Sequence, residues 1–149
     1  MRDLVEAFIG GVTPAEQAMY SNRRLAIRLV ITEYENMIRA GSPGADDAIQ
    51  SFVQQAKDRA FEEISRHSPN GIPTPRAEFY QDMFDELSTR SRLSIGKVKD
   101  GTFNLHVSVS SPLPHVVKDG FLSINVAQEW INSDVGDAVI RRVIAAHPK

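Results

Sequence analysis

The chain has 149 residues, of which 42% are hydrophobic and 24% are charged, and its formal net charge is -2. This composition is typical of a globular protein and excludes a disordered, fibrous or low-complexity chain. The small negative charge provides no overall attraction to nucleic acid or to an anionic membrane surface. The absence of cysteine excludes disulfides, thiolate metal sites and cysteine nucleophiles, and it fits a reducing cytoplasm.

Two helices are predicted up to Gly41. The first contains apolar residues at helical spacing, namely Leu4, Val5, Phe8 and Ile9. It is predicted to end at Gly10-Gly11, because glycine accepts the left-handed geometry beyond a helix C-terminus. Thr13-Pro14-Ala15-Glu16 is a capping-box pattern that predicts a second helix of about 27 residues, roughly 40 Å long. A domain of this size is itself only about 40 Å across, which favours an elongated subunit that completes its burial against copies of itself or a partner.

A further pair of helices follows the predicted turn Ser42-Pro43-Gly44. The first of them carries an apolar stripe that predicts an antiparallel helical hairpin with the long helix. The stripe consists of Ala48, Ile49, Phe52, Val53, Ala56, Ala60 and Ile64. Residues 68–75 contain three prolines and predict a non-helical connector. Thr74 and Pro75 then predict the capped start of a helix that ends near Arg90.

The hydrophobic period changes from helical to alternating after Arg90, which predicts a β-hairpin with one buried face around an Asp100-Gly101 turn. Its apolar positions are Leu93, Ile95, Phe103, Leu105, Val107 and Val109. Residues 110–114 break the second strand. His115-Val116-Val117 is then predicted to start a strand that turns at Lys118-Asp119-Gly120 into residues 121–124.

A closing helix completes the chain. Asn125 with Gln128 is a capping-box pattern, and Ser133 or Asp134 is an alternative start. The sequence therefore predicts a single α+β domain over residues 1–149. Its helical part covers about residues 1–90 and consists of long N-terminal helices, its small antiparallel β element covers about 92–124, and its closing helix covers about 126–147. No apolar run approaches the roughly 20 residues of a membrane-spanning helix, so no membrane association is expected.

No pattern in the sequence predicts catalysis, a metal ligand or a cofactor. The four histidines, His67, His106, His115 and His147, fall in no HExxH or HxH motif, and surface or helix-capping roles are favoured for them. The serines form no GxSxG or SxxK motif, and the glycines form no phosphate-binding loop. We therefore expect a protein that is not an enzyme and holds neither metal nor cofactor.

Two groups of residues are candidate contact sites. Arg23, Arg24 and Arg28 cluster on one helical stretch, where guanidinium groups pair with carboxylates or with phosphate. Ion pairing is favoured over nucleic acid, because the chain has no basic excess. The second group lies in and after a proline-marked loop and consists of Leu113, His115, Val116, Val117 and Phe121. These residues form either a protein contact surface or a loop that folds back over its own sheet.

The order of elements resembles that of the head–tail joining (tail-completion) proteins of tailed phages over roughly residues 45–146. The resemblance comprises a long helix, the Ser68-Pro69 break, a helix, a β-hairpin, the glycine-ended turn Ser110-Ser111-Pro112-Leu113-Pro114-His115-Val116-Val117-Lys118-Asp119-Gly120 and a terminal helix. Asn70-Gly71 stands where that family has threonine-glycine. The resemblance implies a non-enzymatic neck subunit that forms a ring, binds neighbouring virion proteins, and passes from the host cytoplasm into the virion. The alternative is a small cytoplasmic regulatory or inhibitory protein that binds a macromolecular partner.

Overall fold

The computed structural model describes residues 2–18, 22–41 and 46–147. Within these segments the chain forms six α-helices, a short 3₁₀ turn and one three-stranded antiparallel sheet. This confirms the predicted α+β class, with the helical part first, then the β element, then the closing helices. The contacts divide the chain into two compact units, Met1–Ser91 (unit 1) and Arg92–Lys149 (unit 2). The boundary falls where the predicted helical part meets the β element, and the single domain stays a prediction.

Unit 1 is helical in the residues that the structure describes. Its elements are α1 (Arg2–Ala18), α2 (Arg23–Gly41), α3 (Asp46–Arg66), the 3₁₀ turn Pro69–Gly71 and α4 (Pro75–Arg90). The hydroxyl oxygen of Thr74 accepts a hydrogen bond from the Ala77 N–H at 3.2 Å, and Pro75 occupies the first helical position. The predicted start and end of α4 are therefore confirmed.

The predicted boundaries of the first two helices are wrong. Helix α1 continues through Gly10-Gly11 and through Thr13, and α2 starts at Arg23, so no 27-residue helix forms. Val12 is fully buried on the same face as Phe8, and this burial offsets the cost of about 1 kcal/mol that each glycine adds to a helix interior. The side chain of Asn22 caps α2 by accepting a hydrogen bond from the Leu25 N–H at 3.1 Å. Residues 19–21, which the predicted second helix contains, lie outside the described residues.

The core of unit 1 is formed by apolar faces of all four helices. Rings from three helices meet in it: Phe8 lies edge-on to Tyr34 at 5.3 Å and to Phe52 at 5.5 Å between ring centroids. Helix α2 contacts α3, as the predicted hairpin requires, but the most extensive partner of α3 is α4. The predicted turn Ser42-Pro43-Gly44 lies outside the described residues.

Unit 2 is a β-meander covered by two helices. Its elements are β1 (Leu93–Lys97), β2 (Phe103–Val107), β3 (His115–Phe121), α5 (Ile124–Asn132) and α6 (Asp134–Ala146). The sheet order is β1-β2-β3, and Leu93 opposite Val107 sets the register of the first pair. Leu105 and Val107 are fully buried whereas His106 between them is half-buried, which confirms the hairpin with one buried face.

The predicted turn at Lys118-Asp119-Gly120 is wrong, because β3 continues to Phe121. Lys118 lies opposite Leu105 and Phe121 lies opposite Phe103. Strand β3 therefore has more residues than β2 over this stretch, and the pairing of the two strands is irregular there. Gly120, with φ +78°, takes a left-handed conformation that serves this irregularity instead of a reversal of the chain.

The closing helix is divided into two helices. Helix α5 starts after Ser123, whose hydroxyl oxygen accepts from the Val126 N–H at 3.1 Å, so the predicted capping box at Asn125 is wrong. Helix α6 starts after Ser133, one of the two predicted starts, and the Ser133 hydroxyl oxygen accepts from the Gly136 N–H at 3.0 Å. Both helices pack on the sheet face that carries Leu105 and Val107.

Candidate functional site

The predicted arginine cluster lies opposite acidic residues of α4. Arg23 donates from Nε to Asp82 Oδ2 at 2.8 Å, and Arg24 donates from one terminal nitrogen to Asp82 Oδ1 at 2.9 Å and Asp85 Oδ2 at 3.2 Å. Arginines at helical spacing on α2 thus face carboxylates at helical spacing on α4. This geometry corresponds to the ion-pair alternative for the cluster.

The deepest part of this interface is Glu86, which is 2% exposed. Its Oε1 atom lies 3.3 Å from Arg24 Nη1 and 3.5 Å from Arg28 Nη1. Partial burial by itself lowers the pKa of Arg24. The charge of Asp82 and the hydrogen bonds to Asp85 and Glu86 outweigh that effect and raise the pKa above its ordinary value. The guanidinium of Arg24 is therefore held in its charged form by carboxylates of the same unit.

A second ion pair between the same helices was not predicted from the sequence. Arg90 at the end of α4 pairs with Glu35 of α2, and both side chains are only 6% exposed. Arg90 also lies 3.4 Å from the Thr32 hydroxyl, and Arg39 lies 4.0 Å from Glu35. We call the ion pairs between α2 and α4 the charged α2–α4 interface. Glu35, four residues before Arg39, was the available sequence signal, but nothing in the sequence pairs it with Arg90.

Glu63 of α3 is the centre of a separate cluster. It is 5% exposed and pairs with Arg59, Arg66 and His67, the last at 3.3 Å. The ring of His67 stacks on Tyr80 with a centroid distance of 5.6 Å. His67 therefore lies just after the end of α3 and contacts a carboxylate and an aromatic ring of its own unit.

The predicted contact group in unit 2 is divided by the structure. Leu113 is 77% exposed, Val116 is 45% exposed, and His115 is also exposed. Val117 is half-buried against the core. Phe121 is 4% exposed, and its ring centroid lies 5.9 Å from that of Trp130. The first three are therefore accessible to a partner. The prediction that Phe121 contacts a partner is wrong, because its ring belongs to the core of the unit and is already covered by α5.

Leu122, beside the predicted group, is 81% exposed and was not selected from the sequence. It directly follows the buried Phe121, and the alternation of side chains along an extended segment was the signal that could have identified it. Together, Leu113, Val116 and Leu122 define what we call the apolar segment 113–122. Exposed aliphatic side chains that form a contiguous patch are typical of a surface that another molecule covers, which makes these three residues the candidate contact of unit 2.

Two open grooves lie on the helices of unit 1. One of about 520 Å³ runs along α2, and the other of about 290 Å³ lies between α1 and α3. The first is lined by Leu29, Thr32, Glu33, Asn36, Met37 and Ala40. The Thr32 hydroxyl in the first groove donates to the Arg28 carbonyl at 3.1 Å, and the residues that line the two grooves indicate no particular reaction.

Within residues 2–18, 22–41 and 46–147, no three His, Asp or Glu side chains are arranged to hold a metal ion. No helix in the described part of the chain is both long and apolar enough to cross a membrane. Comparisons with known protein families, with curated proteins and with solved structures find no match.

Proposed function

We propose that this chain is a non-enzymatic structural subunit that assembles with copies of itself and with neighbouring structural proteins. The observation that carries the proposal is the apolar segment 113–122, in which Leu113 and Leu122 are 77% and 81% exposed. Covering a leucine side chain stabilises an association by roughly 1.5–3 kcal/mol. A surface of this kind favours association.

The sheet of unit 2 provides a second element for assembly. Strand β3 lies at one edge and β1 at the other, so each has a single strand neighbour among the described residues. An edge strand has backbone N–H and C=O groups that can pair with another chain. The first half of β3, His115-Val116-Val117, has no formal charge. Lys118 and Asp119, with the irregular ladder beside them, protect the second half from such pairing.

Repetition of one contact accounts for a ring. When β3 of one copy contacts a different surface of the next copy, such as its β1 edge, the contact is head-to-tail. Such contacts form a ring when the rotation between copies closes, and an open filament when it does not. The resemblance to head–tail joining proteins of tailed phages supports the finer form of the proposal: a neck or tail-completion subunit, made in the host cytoplasm and then incorporated into the virion. Elements α3, α4 and the hairpin occur in the order on which that resemblance depends, whereas its turn is replaced by strand β3 and its terminal helix by the two helices α5 and α6.

The alternative function, a small regulatory or inhibitory protein, would use the same apolar segment against a different macromolecule. The two proposals differ in self-association. We expect the purified chain, with a monomer mass of 16.6 kDa, to form a ring or to associate increasingly with concentration in sedimentation and light-scattering measurements. A strictly monomeric mass at high concentration would count against the structural subunit and favour the alternative.

The double variant Leu113→Ser/Val116→Ser tests the surface itself. We expect weaker association with unchanged helical circular dichroism, because both side chains are exposed in the isolated chain. Ile72→Ser is the matched control, since Ile72 is 67% exposed but lies in unit 1. Loss of the fold in the double variant would show that the segment is core. Equal weakening by Ile72→Ser would show that the effect is not specific to the apolar segment.

A further inference from the structure

Two histidines that are far apart in the sequence meet on the surface of unit 2. The rings of His115 and His147 have centroids 5.0 Å apart and planes inclined by 32°, and both residues are exposed. Their sequence separation matches no metal-binding motif, so the sequence predicts no ligand role for them. The fold creates the pair by bringing the start of β3 beside the end of α6.

The backbone on both sides of the pair is fixed by hydrogen bonds. His115 is the first residue of β3 and lies opposite Val107 in the ladder. The N–H of His147 donates to the carbonyls of Val143 and Ile144 at 3.1 and 3.3 Å, and its own carbonyl accepts from Arg92 Nη2 at 2.7 Å. The two imidazoles are thus presented by a strand and by a helix terminus, and little ordering of the backbone is needed to bind a ligand.

The spacing of the rings fits a shared metal ion. With a metal–nitrogen bond of about 2.0–2.1 Å, the centre of a ligating imidazole lies roughly 3.2 Å from the metal. Two such rings at the tetrahedral angle have centres about 5.2 Å apart, and two at the right angle of a tetragonal site have centres about 4.5 Å apart. The observed 5.0 Å lies between these two values.

We propose that His115 and His147 form a two-histidine binding site for a borderline transition-metal cation such as Cu²⁺, Ni²⁺ or Zn²⁺. One nitrogen of each neutral imidazole binds the cation, and water fills the remaining positions. Imidazole suits all three metals, and the expected order of affinity places Cu²⁺ first. The positive charge of Arg92, which contacts the His147 carbonyl, weakens the affinity. The inference does not depend on the proposed assembly function.

Calorimetric titration of the full chain with Cu²⁺, Ni²⁺ and Zn²⁺ salts tests the site. We expect one metal per chain, with Cu²⁺ bound most tightly. His115→Gln and His147→Gln should each weaken binding by at least about tenfold, the smallest loss that removal of even an outer-shell partner causes. The bound metal should also raise the melting temperature of the wild type more than that of either variant.

His106→Gln is the matched control. His106 lies on the neighbouring strand, opposite Val116, and adjacent positions in a strand point to opposite faces, so its side chain is on the other face from His115. It should leave the affinity unchanged. Circular dichroism confirms that each variant is folded. Equal metal binding by the wild type and by the folded His115→Gln/His147→Gln double variant, or no binding by the wild type, would overturn the proposal.

Discussion

Units 1 and 2 bury their side chains in different ways. Unit 1 contains five buried charged residues, Arg28, Glu35, Glu63, Glu86 and Arg90, whereas Gln128 is the buried polar residue of unit 2 within the described ranges. Removing a charge from water costs several kcal/mol unless a partner and hydrogen bonds compensate for it. The packing of the unit 1 helices therefore requires a specific oppositely charged partner for each buried charge. The packing of unit 2 requires apolar side chains of suitable shape and volume.

Arg90→Met should have the largest effect, because it leaves Glu35 buried at 5% exposure without its closest partner. We expect the free energy of unfolding to fall by about 3–5 kcal/mol, measured by urea denaturation with far-ultraviolet circular dichroism. The double variant Arg90→Met/Glu35→Leu should recover most of this loss. Arg66→Met, whose side chain is 58% exposed, should cost no more than about 1 kcal/mol. An unchanged single variant would contradict the charged α2–α4 interface.

Gly136→Ala tests the packing of unit 2. A Cβ atom at Gly136 would lie 1.7 Å from the carbonyl oxygen of Trp130, so the junction of α5 and α6 would have to shift. Such overpacking costs about 1–3 kcal/mol, or more where the backbone resists. Trp130 is the only tryptophan in the chain, and its fluorescence during denaturation reports on this unit. A variant as stable as the wild type would show that the two helices are not in close contact there.

The same substitution in unit 1 should have the opposite sign. Gly10 lies inside α1, and an added Cβ would meet nothing within 4 Å. Gly10→Ala should therefore stabilise the protein by about 0.5–1 kcal/mol, because alanine loses less conformational entropy in a helix. Thermal or chemical denaturation followed by circular dichroism measures the change. Destabilisation would instead favour a helix that ends at the glycine pair, as the sequence predicted.

The smallest effect is expected in the hairpin turn of unit 2. The Thr102 hydroxyl and N–H donate to Asp100 Oδ1 at 2.6 and 2.9 Å, and these bonds lower the pKa of Asp100. Thr102→Val should move that pKa up towards its ordinary value, as measured by a nuclear magnetic resonance titration of the carboxyl carbon. Because the pKa is lowered on folding, the stabilisation is present above the unfolded-state pKa and is lost as the pH falls through the folded-state pKa. The free energy of unfolding of the variant should therefore fall less than that of the wild type as the pH is lowered. An unchanged pKa would mean that the backbone bond alone sets it.

Local chemistry determined much of the fold. The starts of α4 and α6 were predicted from Thr74 with Pro75 and from Ser133. The hairpin was predicted from the alternation between Leu93 and Val107. Each of these features depends on residues only a few positions apart. The arginine cluster on α2 was visible for the same reason. Its ion-pair alternative needed only carboxylates at helical spacing elsewhere in the chain, and α4 provides them in Asp82, Asp85 and Glu86.

Features that depend on distant residues were decided by the tertiary structure. Burial of Val12 carries α1 through a glycine pair that locally favours a helix end. No local pattern relates Arg90 to its partner Glu35, or His115 to His147. The burial of Phe121 likewise depends on a residue of another element, Trp130. The sequence determined the type and order of most helices and strands. Only packing decided which of them meet, since that depends on the free energy of burial summed over the whole unit.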